Sequence, residues 1–129
     1  MDIGLHRESQ LDFTQARERV KEGLAAEGFG ILTEIDVQAT LHEKIGVQMR
    51  PYRILGACNP AIANRALGLT KDAGVFLPCN VVLYEREDGK TTIVAVDPMQ
   101  TPAGQAGGDL RKLAQEVRAK LERVIEAVP

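Results

Sequence analysis

Three short motifs in the sequence carry side chains that could bind a ligand or take part in chemistry: Cys58-Asn59-Pro60, Pro78-Cys79-Asn80 and Asp97-Pro98. Cys58 and Cys79 are the two cysteines of the chain, and a pair of thiols can oxidise, bind a soft metal ion or hold a ligand. Asn80 and Asp97 can form hydrogen bonds with a polar molecule. The motifs therefore supply the candidate ligand-binding residues, namely Cys58, Asn59, Cys79, Asn80 and Asp97.

Each of these residues also has a structural interpretation. Free cysteines in a folded protein are most often small apolar side chains of the core. Asn59 followed by Pro60 is a typical helix start, because Asn caps the helix and Pro fits its first position. Asp97 before Pro98 indicates a strand exit, since the residue before Pro prefers extended backbone. Asn80 can pair with a polar side chain across the sheet or contact a ligand, and both interpretations stay open.

A β-hairpin is the strongest structural signal in the chain, and it carries two of the motifs. The apolar runs Val81–Tyr84 and Ile93–Val96 lie on either side of Asp88-Gly89, a dipeptide preferred in two-residue hairpin turns. A preceding strand over Tyr52–Cys58 that pairs antiparallel with the hairpin would end beside its first strand. The arrangement predicts one polar edge of the sheet at which all three motifs meet.

A two-residue turn also fixes the register of the hairpin, pairing Val81 with Val96 and Asn80 with Asp97. One side of the hairpin then carries Val81, Leu83, Val94 and Val96. The other side carries Val82, Tyr84, Ile93 and Ala95. Both sides are apolar, so we expect both to be covered. Two long helices suffice for one side, and a partner subunit would cover the other, which predicts a homodimer.

The remaining elements complete a predicted α+β fold. The first strand is predicted over residues 2–7, and apolar residues recur at helical spacing over 13–27 and 110–128. The Gly- and Pro-rich residues 98–108 are predicted to form a flexible connector. The order β-α-β-(α)-β-(α)-β-β-α, with short helices in brackets, favours a single antiparallel sheet with helices on one face. The length predicts one domain over residues 1–129.

The charge distribution excludes several classes of function. The net charge of −2 comes from 16 basic and 18 acidic residues that are well mixed along the chain. Nucleic-acid-binding proteins need a basic patch to neutralise phosphates. No apolar run approaches the ~20 residues that span a bilayer, and the N-terminus lacks the layout of a signal peptide. We therefore expect a cytoplasmic protein with free thiols that binds neither nucleic acid nor membranes.

Familiar catalytic motifs are absent from the sequence. The two histidines, His6 and His42, are not spaced with a nucleophile or a second metal ligand. Two thiols without a nearby His make a poor zinc site, and neither a phosphate loop nor a nucleophile elbow occurs. The sequence predicts no catalytic residue, no metal site and no identifiable cofactor, and it favours a role other than catalysis.

The run from Tyr52 to Pro60, together with Leu77-Pro78-Cys79 and Asp97-Pro98, resembles the bacterial and archaeal domain-of-unknown-function family 302. Gly28-Phe29 and the stretch Thr33–Ala39 fit the same pattern, so the resemblance covers nearly the whole chain. It implies a fold like one half of the TATA-box-binding protein, with a curved antiparallel sheet, and it implies dimers. It implies no activity. The family-like positions, without assigned roles, are Cys58, Asn59, Pro60, Pro78, Cys79, Asp97 and Pro98.

Three hypotheses about function follow from these observations. The first is a homodimeric protein that binds a small ligand, or acts as an accessory protein, with its site at the polar sheet edge. The second is a thiol-based redox or soft-metal-handling protein that uses Cys58 and Cys79. The helix after Cys58 would favour a thiolate there, and a disulfide needs Cα atoms within about 7 Å. The third is a structural dimer without a site.

Overall fold

The computed structural model describes residues 3–129, and its centre is one five-stranded antiparallel sheet. The strands are β1 (Leu5–Ser9), β2 (Gly30–Asp36), β3 (Tyr52–Cys58), β4 (Cys79–Glu85) and β5 (Thr91–Ala95). Their order across the sheet is β1-β5-β4-β3-β2. The predicted fold class, an α+β fold on a single antiparallel sheet, is therefore confirmed. The strand predicted over residues 2–7 begins at Leu5, and residue 2 lies outside the described residues.

The sheet is accompanied by two long and three short α-helices in the described part of the chain. They are α1 (Phe13–Ala26), α2 (Val37–Ile45), α3 (Pro60–Leu69), α4 (Pro102–Gln105) and α5 (Gly108–Glu126). Local side chains set their starts: the carboxylate of Asp12 accepts a hydrogen bond from Gln15 N at 2.8 Å, and that of Asp36 accepts one from Ala39 N at 2.9 Å. Gly46, with φ +70°, ends α2 in the left-handed conformation.

The helices α1 and α5 pack on one face of the sheet, and the hydrophobic core lies between the sheet and these two helices. The fully buried side chains of this core come from alternate sheet residues and from one stripe of each helix: Leu55, Val81, Leu83, Ile93, Val20, Leu24, Leu121 and Val124. The opposite face carries Ile54, Val82 and Val94, which are only half-buried. We call this second surface the open face.

The hairpin register differs by one residue from the register predicted from Asp88-Gly89. Arg86 N donates to Lys90 O at 2.7 Å, so the loop has three residues and ends at Gly89, whose φ is +81°. Three-residue hairpin loops place a left-handed glycine at this position. Val82 therefore pairs with Val94, and Leu83 pairs with Ile93.

This shift exchanges the predicted faces of β5, because side chains alternate along a strand. Ile93 and Ala95 join Val81 and Leu83 in the core, and all four are almost completely buried. Val94 moves to the open face beside Val82. Asn80 lies next to Val96, whose N donates to Asn80 O at 3.0 Å, so the predicted pairing of Asn80 with Asp97 is wrong.

Residues 98–108 are predicted to form a flexible connector, but much of this segment has helical backbone conformation. They form a 3₁₀ turn over Pro98–Gln100, then α4 and the first residue of α5. Both short elements begin with proline, which suits the first position of a helix because no backbone donor is needed there. A second 3₁₀ segment, Lys71–Phe76, joins α3 to β4.

Candidate functional site

The three sequence motifs meet at one end of the sheet. Cys79 is the cross-strand partner of Ala57, and Asn80 is the partner of Gly56. The hydrogen bond from Val96 N to Asn80 O brings the exit of β5 to the same place. The end of β3, the start of β4 and the exit of β5 are thus neighbours, although their side chains point in different directions.

The two thiols are close along the backbone but face opposite sides of the sheet. Cys58 follows Ala57, the partner of Cys79, so the two cysteine Cα atoms stand about 6 Å apart. Cys79 lies on the core side with Val81, whereas Cys58 shares the parity of Gly56 and the open face. Both thiols are free. A disulfide between side chains that point apart requires movement of the backbone.

The surroundings of Cys79 keep its thiol uncharged. Burial, and to a smaller extent the neighbouring Cys58, raises the pKa of the Cys79 thiol to about 11. Near neutral pH the Cys79 side chain is therefore an uncharged thiol, which is a weak nucleophile and a weak metal ligand.

Asn59 uses both ends of its amide within the fold. Its Oδ1 accepts a hydrogen bond from Ile62 N at 3.3 Å and caps α3, while its Nδ2 donates to Glu27 O at 3.3 Å. The second bond ties the start of α3 to the end of α1. The side chain is thus a structural link, as the helix-capping interpretation predicted.

Asp97 connects the exit of β5 to α5. Its Oδ1 accepts a hydrogen bond from Met99 N at 2.9 Å and so caps the 3₁₀ turn. Its Oδ2 lies 3.3 Å from Arg118 Nε in an ion pair. Asp97 is only 7% exposed, so the ion pair compensates a carboxylate that is largely removed from water.

A cleft of about 460 Å³ lies on the open face at this end of the sheet, and we call it the open-face cleft. Its floor is formed by side chains of β4 and β5, and its sides by the N-terminal segment and the residues after Asp97: Ile3, Gly4, Asn80, Val82, Val94, Ala95, Val96, Asp97, Gln100 and Thr101. Gly4 N donates to Gln100 Oε1 at 2.9 Å, which joins the two sides. Asn80 is exposed in this cleft, and its side-chain amide has no hydrogen-bond partner among residues 3–129.

Three residues, Gly56, Thr33 and Pro78, pack closely together beside the cleft on the open face. Gly56 lies under Thr33 and Pro78: a Cβ atom at position 56 would collide with Thr33 Oγ1 and come within 2.9 Å of Pro78 Cγ. Sequence reasoning missed this contact, although a glycine inside an otherwise apolar strand indicates the close approach of another group. The cleft-lining residues Gly4, Gln100 and Thr101 carried no signal in the sequence.

An ion cluster around Glu34 lies on the core side of the edge strand β2, outside the cleft. Glu34 accepts hydrogen bonds from Arg17 Nε at 2.7 Å and Arg53 at 2.6 Å, and Lys21 Nζ is 3.2 Å away. The hydrogen bonds from Arg17, followed by those from Arg53 and Lys21, lower the pKa of Glu34 to about 2. The cluster fastens β2 to α1.

The described residues hold no arrangement of three or more His, Cys, Asp or Glu side chains that could bind a metal ion. Within the same residues, every helix is too short or too polar to cross a membrane.

Comparisons with known proteins agree with the resemblance noted in the motifs. The family described as "Domain of unknown function DUF302" matches residues 5–128. The crystal structure of an uncharacterized conserved protein DUF302 from Bacillus stearothermophilus superposes with a TM-score of 0.89 at 29% sequence identity, over 97% of each chain. A comparison with curated proteins found no match. The match over nearly the whole chain and the shared fold both show that this protein belongs to the DUF302 family.

Proposed function

We propose that this protein is a small-ligand-binding domain whose site is the open-face cleft, and that two copies pair through the open face. The observation that carries the proposal is the cleft itself. Its volume of about 460 Å³ and its largely apolar floor are typical of small-molecule sites, in which a few polar groups fix the orientation of the ligand.

Asn80 is the polar group that supports ligand binding most directly. Its side chain is exposed in the cleft, and its amide offers one acceptor and two donors that no described residue uses. Asp97 also lines the cleft, but its carboxylate is already paired with Met99 N and Arg118. None of the described residues that line the cleft is Lys, Arg or His. A neutral molecule with a hydrogen-bonding group therefore fits this lining better than a phosphate or a carboxylate.

The open face supports pairing because apolar side chains remain there after folding. Ile35, on the same side as Ile54, is 46% exposed. A five-stranded sheet of this length presents roughly 500 Å² on one face, whereas a stable interface buries about 800 Å² on each partner. Further apolar surface is needed to reach that size.

The helix α2 and the residues after it expose further apolar side chains. No residue of α2 is buried, and Ile45 and Val47 are 70% and 37% exposed. A nine-residue helix is marginal in water without packing partners, so α2 gains stability if another surface covers it. Glu43 and Lys44 give α2 one charge of each sign, and pairing across a two-fold axis can place opposite charges together. A second copy of the chain therefore suits this surface.

The thiol hypothesis has less support from the geometry. The Cα separation of about 6 Å satisfies the distance requirement, but the side chains of Cys58 and Cys79 face opposite sides of the sheet. Thiol titration of the native protein with and without reductant tests the hypothesis. Loss of both thiols on mild oxidation, with a decrease in mass of only two hydrogens, would support the thiol hypothesis.

The ligand site is tested by comparing Asn80→Ala with Asn64→Ala, an exposed asparagine on α3 that does not line the cleft. Ligand-observed NMR with a library of small, neutral, hydrogen-bonding molecules should find binders of the wild type and of Asn64→Ala. Asn80→Ala should weaken these binders by about tenfold, since one hydrogen bond contributes about 1 kcal/mol or more. Binders that are insensitive to Asn80→Ala, or a library without binders, would contradict the proposed site.

Pairing through the open face is tested by Val82→Arg with Val75→Arg as its control. Val82 lies on the open face, whereas Val75 is 82% exposed in the Lys71–Phe76 segment. Sedimentation velocity should find dimers of the wild type and of Val75→Arg. Val82→Arg should be a monomer, because two arginines would meet unpaired in a buried interface. A monomeric wild type at every protein concentration would refute the proposed dimer.

A further inference from the structure

A second cavity lies on the core side of the same end of the sheet, between α3 and α5. We call it the α3–α5 pocket, and its volume is about 70 Å³. Its walls come from both helices, from the start of β4 and from the segments that precede and follow the hairpin. The small and polar residues of its lining are Ala66, Ala73, Cys79, Thr101, Ala103 and Ala114. The pocket is not sealed, because its lining residues Phe76, Leu77 and Leu110 are half-buried.

Among residues 3–129, the lining of the pocket offers neither charge nor an unused hydroxyl group. Thr101 is its one hydroxyl-bearing residue among those described, and Thr101 Oγ1 donates to Pro98 O at 2.6 Å. Cys79 contributes an uncharged thiol, since burial raises the pKa of that group to about 11. A polar or charged ligand would lose its hydration in this pocket without gaining partners.

Small side chains create the space in the pocket. Four alanines line it, from α3, from the Lys71–Phe76 segment, from α4 and from α5: Ala66, Ala73, Ala103 and Ala114. An apolar cavity of about 150 Å³ holds a benzene molecule with its six carbon atoms. The pocket has about half that volume, which corresponds to about three carbon atoms.

We infer that the α3–α5 pocket is a second binding site, separate from the open-face cleft, for a short uncharged aliphatic group of about three carbon atoms. Its wall of alanines and a neutral thiol matches such a group in size and polarity. The inference does not depend on the proposed function, since the cleft lies on the other face of the sheet. Val96 and Thr101 line both cavities, so they cannot report on one of them alone.

The test uses the full chain labelled with ¹⁵N and two apolar probes, xenon and propane, dissolved under pressure. Saturable chemical-shift changes are expected at Ala66, Cys79 and Ala114, which line the pocket alone. The reporters of the open-face cleft, Asn80 and Val82, should not respond. Benzene, with about twice as many carbon atoms as the pocket can hold, should cause no saturable change.

The pocket-filling variant Ala66→Leu should lose the saturable changes, because its added carbon atoms occupy the space. Ala63→Leu is the matched control on the same helix, since Ala63 does not line the pocket, and it should keep them. Ala114→Val provides a second filling variant if Ala66→Leu does not fold. Changes that persist in the filling variants, that appear only at Asn80 and Val82, or that are absent with both probes would overturn the inference.

Discussion

The two faces of the sheet are made from alternate residues of the same strands, yet they have different environments. On the core face, Leu55, Val81, Leu83 and Ile93 are completely buried under α1 and α5. On the open face, Ile54, Val82 and Val94 are half-buried and equally apolar. The buried core of one chain therefore lies on the core face. The apolar character of the open face has a different cause, and the cleft beside Asn80 and an interface with a second copy are the causes we propose.

The largest expected difference between the faces is one of stability, and it is measured with neighbouring residues of the same type. Val81→Ala should lower the free energy of unfolding by about 2–3 kcal/mol, because it removes two methyl groups from a packed core. Val82→Ala, on the open face, should cost less than about 1 kcal/mol in the monomer. Urea unfolding at concentrations where sedimentation finds monomers gives both values. Equal losses would mean that the open face is as well packed as the core.

A second difference concerns charge, since the ion cluster of Glu34 lies on the core side of β2. The pKa of Glu34 falls from 4.5 to about 2 on folding, so its contribution to stability is fully present above about pH 5. It is lost as the pH falls from there to about 2. Glu34→Gln should cost about 2 kcal/mol at pH 7 and little at pH 2.

The measurement for Glu34 is the unfolding free energy from urea titrations between pH 2 and 7. The control is Glu8→Gln, on the opposite edge strand β1, where the side chain is exposed and forms no ion pair with the described residues. Glu8→Gln should leave the pH dependence of the wild type unchanged. A Glu34→Gln variant with the same pH dependence as the wild type would contradict the assignment of the low pKa to this carboxylate.

Local signals in the sequence were sufficient for the order of the strands and the main helices and for the meeting of the motifs, but not for α4 or for the register of the hairpin. Asn59-Pro60 predicted the start of α3, because capping depends on a few neighbouring residues. The end of β3 at Cys58 and the start of β4 at Cys79 are neighbours because adjacent antiparallel strands bring the end of one strand beside the start of the next.

The composition of the cleft could not be predicted, because it depends on contacts between distant parts of the chain. Gly4 reaches Gln100 across 96 positions, and Asp97 pairs with Arg118 on another element. No spacing rule connects such residues. The orientation of the thiols also escaped prediction: motifs can share a sheet end while adjacent positions point to opposite faces. The candidate residues were therefore found together, but their division between cleft, pocket and helix cap required the structure.

The smallest expected effect concerns Gly89, which fixes the register and so decides which residues of β5 belong to each face. Apart from its two chain neighbours, no described residue lies within 4 Å of a Cβ atom placed at this position, so the cost of a side chain is conformational. Gly89→Ala should destabilise the protein by about 1 kcal/mol, since alanine at φ +81° is strained. Gly89→Asn should cost less, because Asn tolerates the left-handed region. Thermal unfolding of the two variants measures the difference. If alanine and asparagine were equally tolerated, Gly89 would not be left-handed in solution, which would contradict the three-residue loop that sets the register of β5.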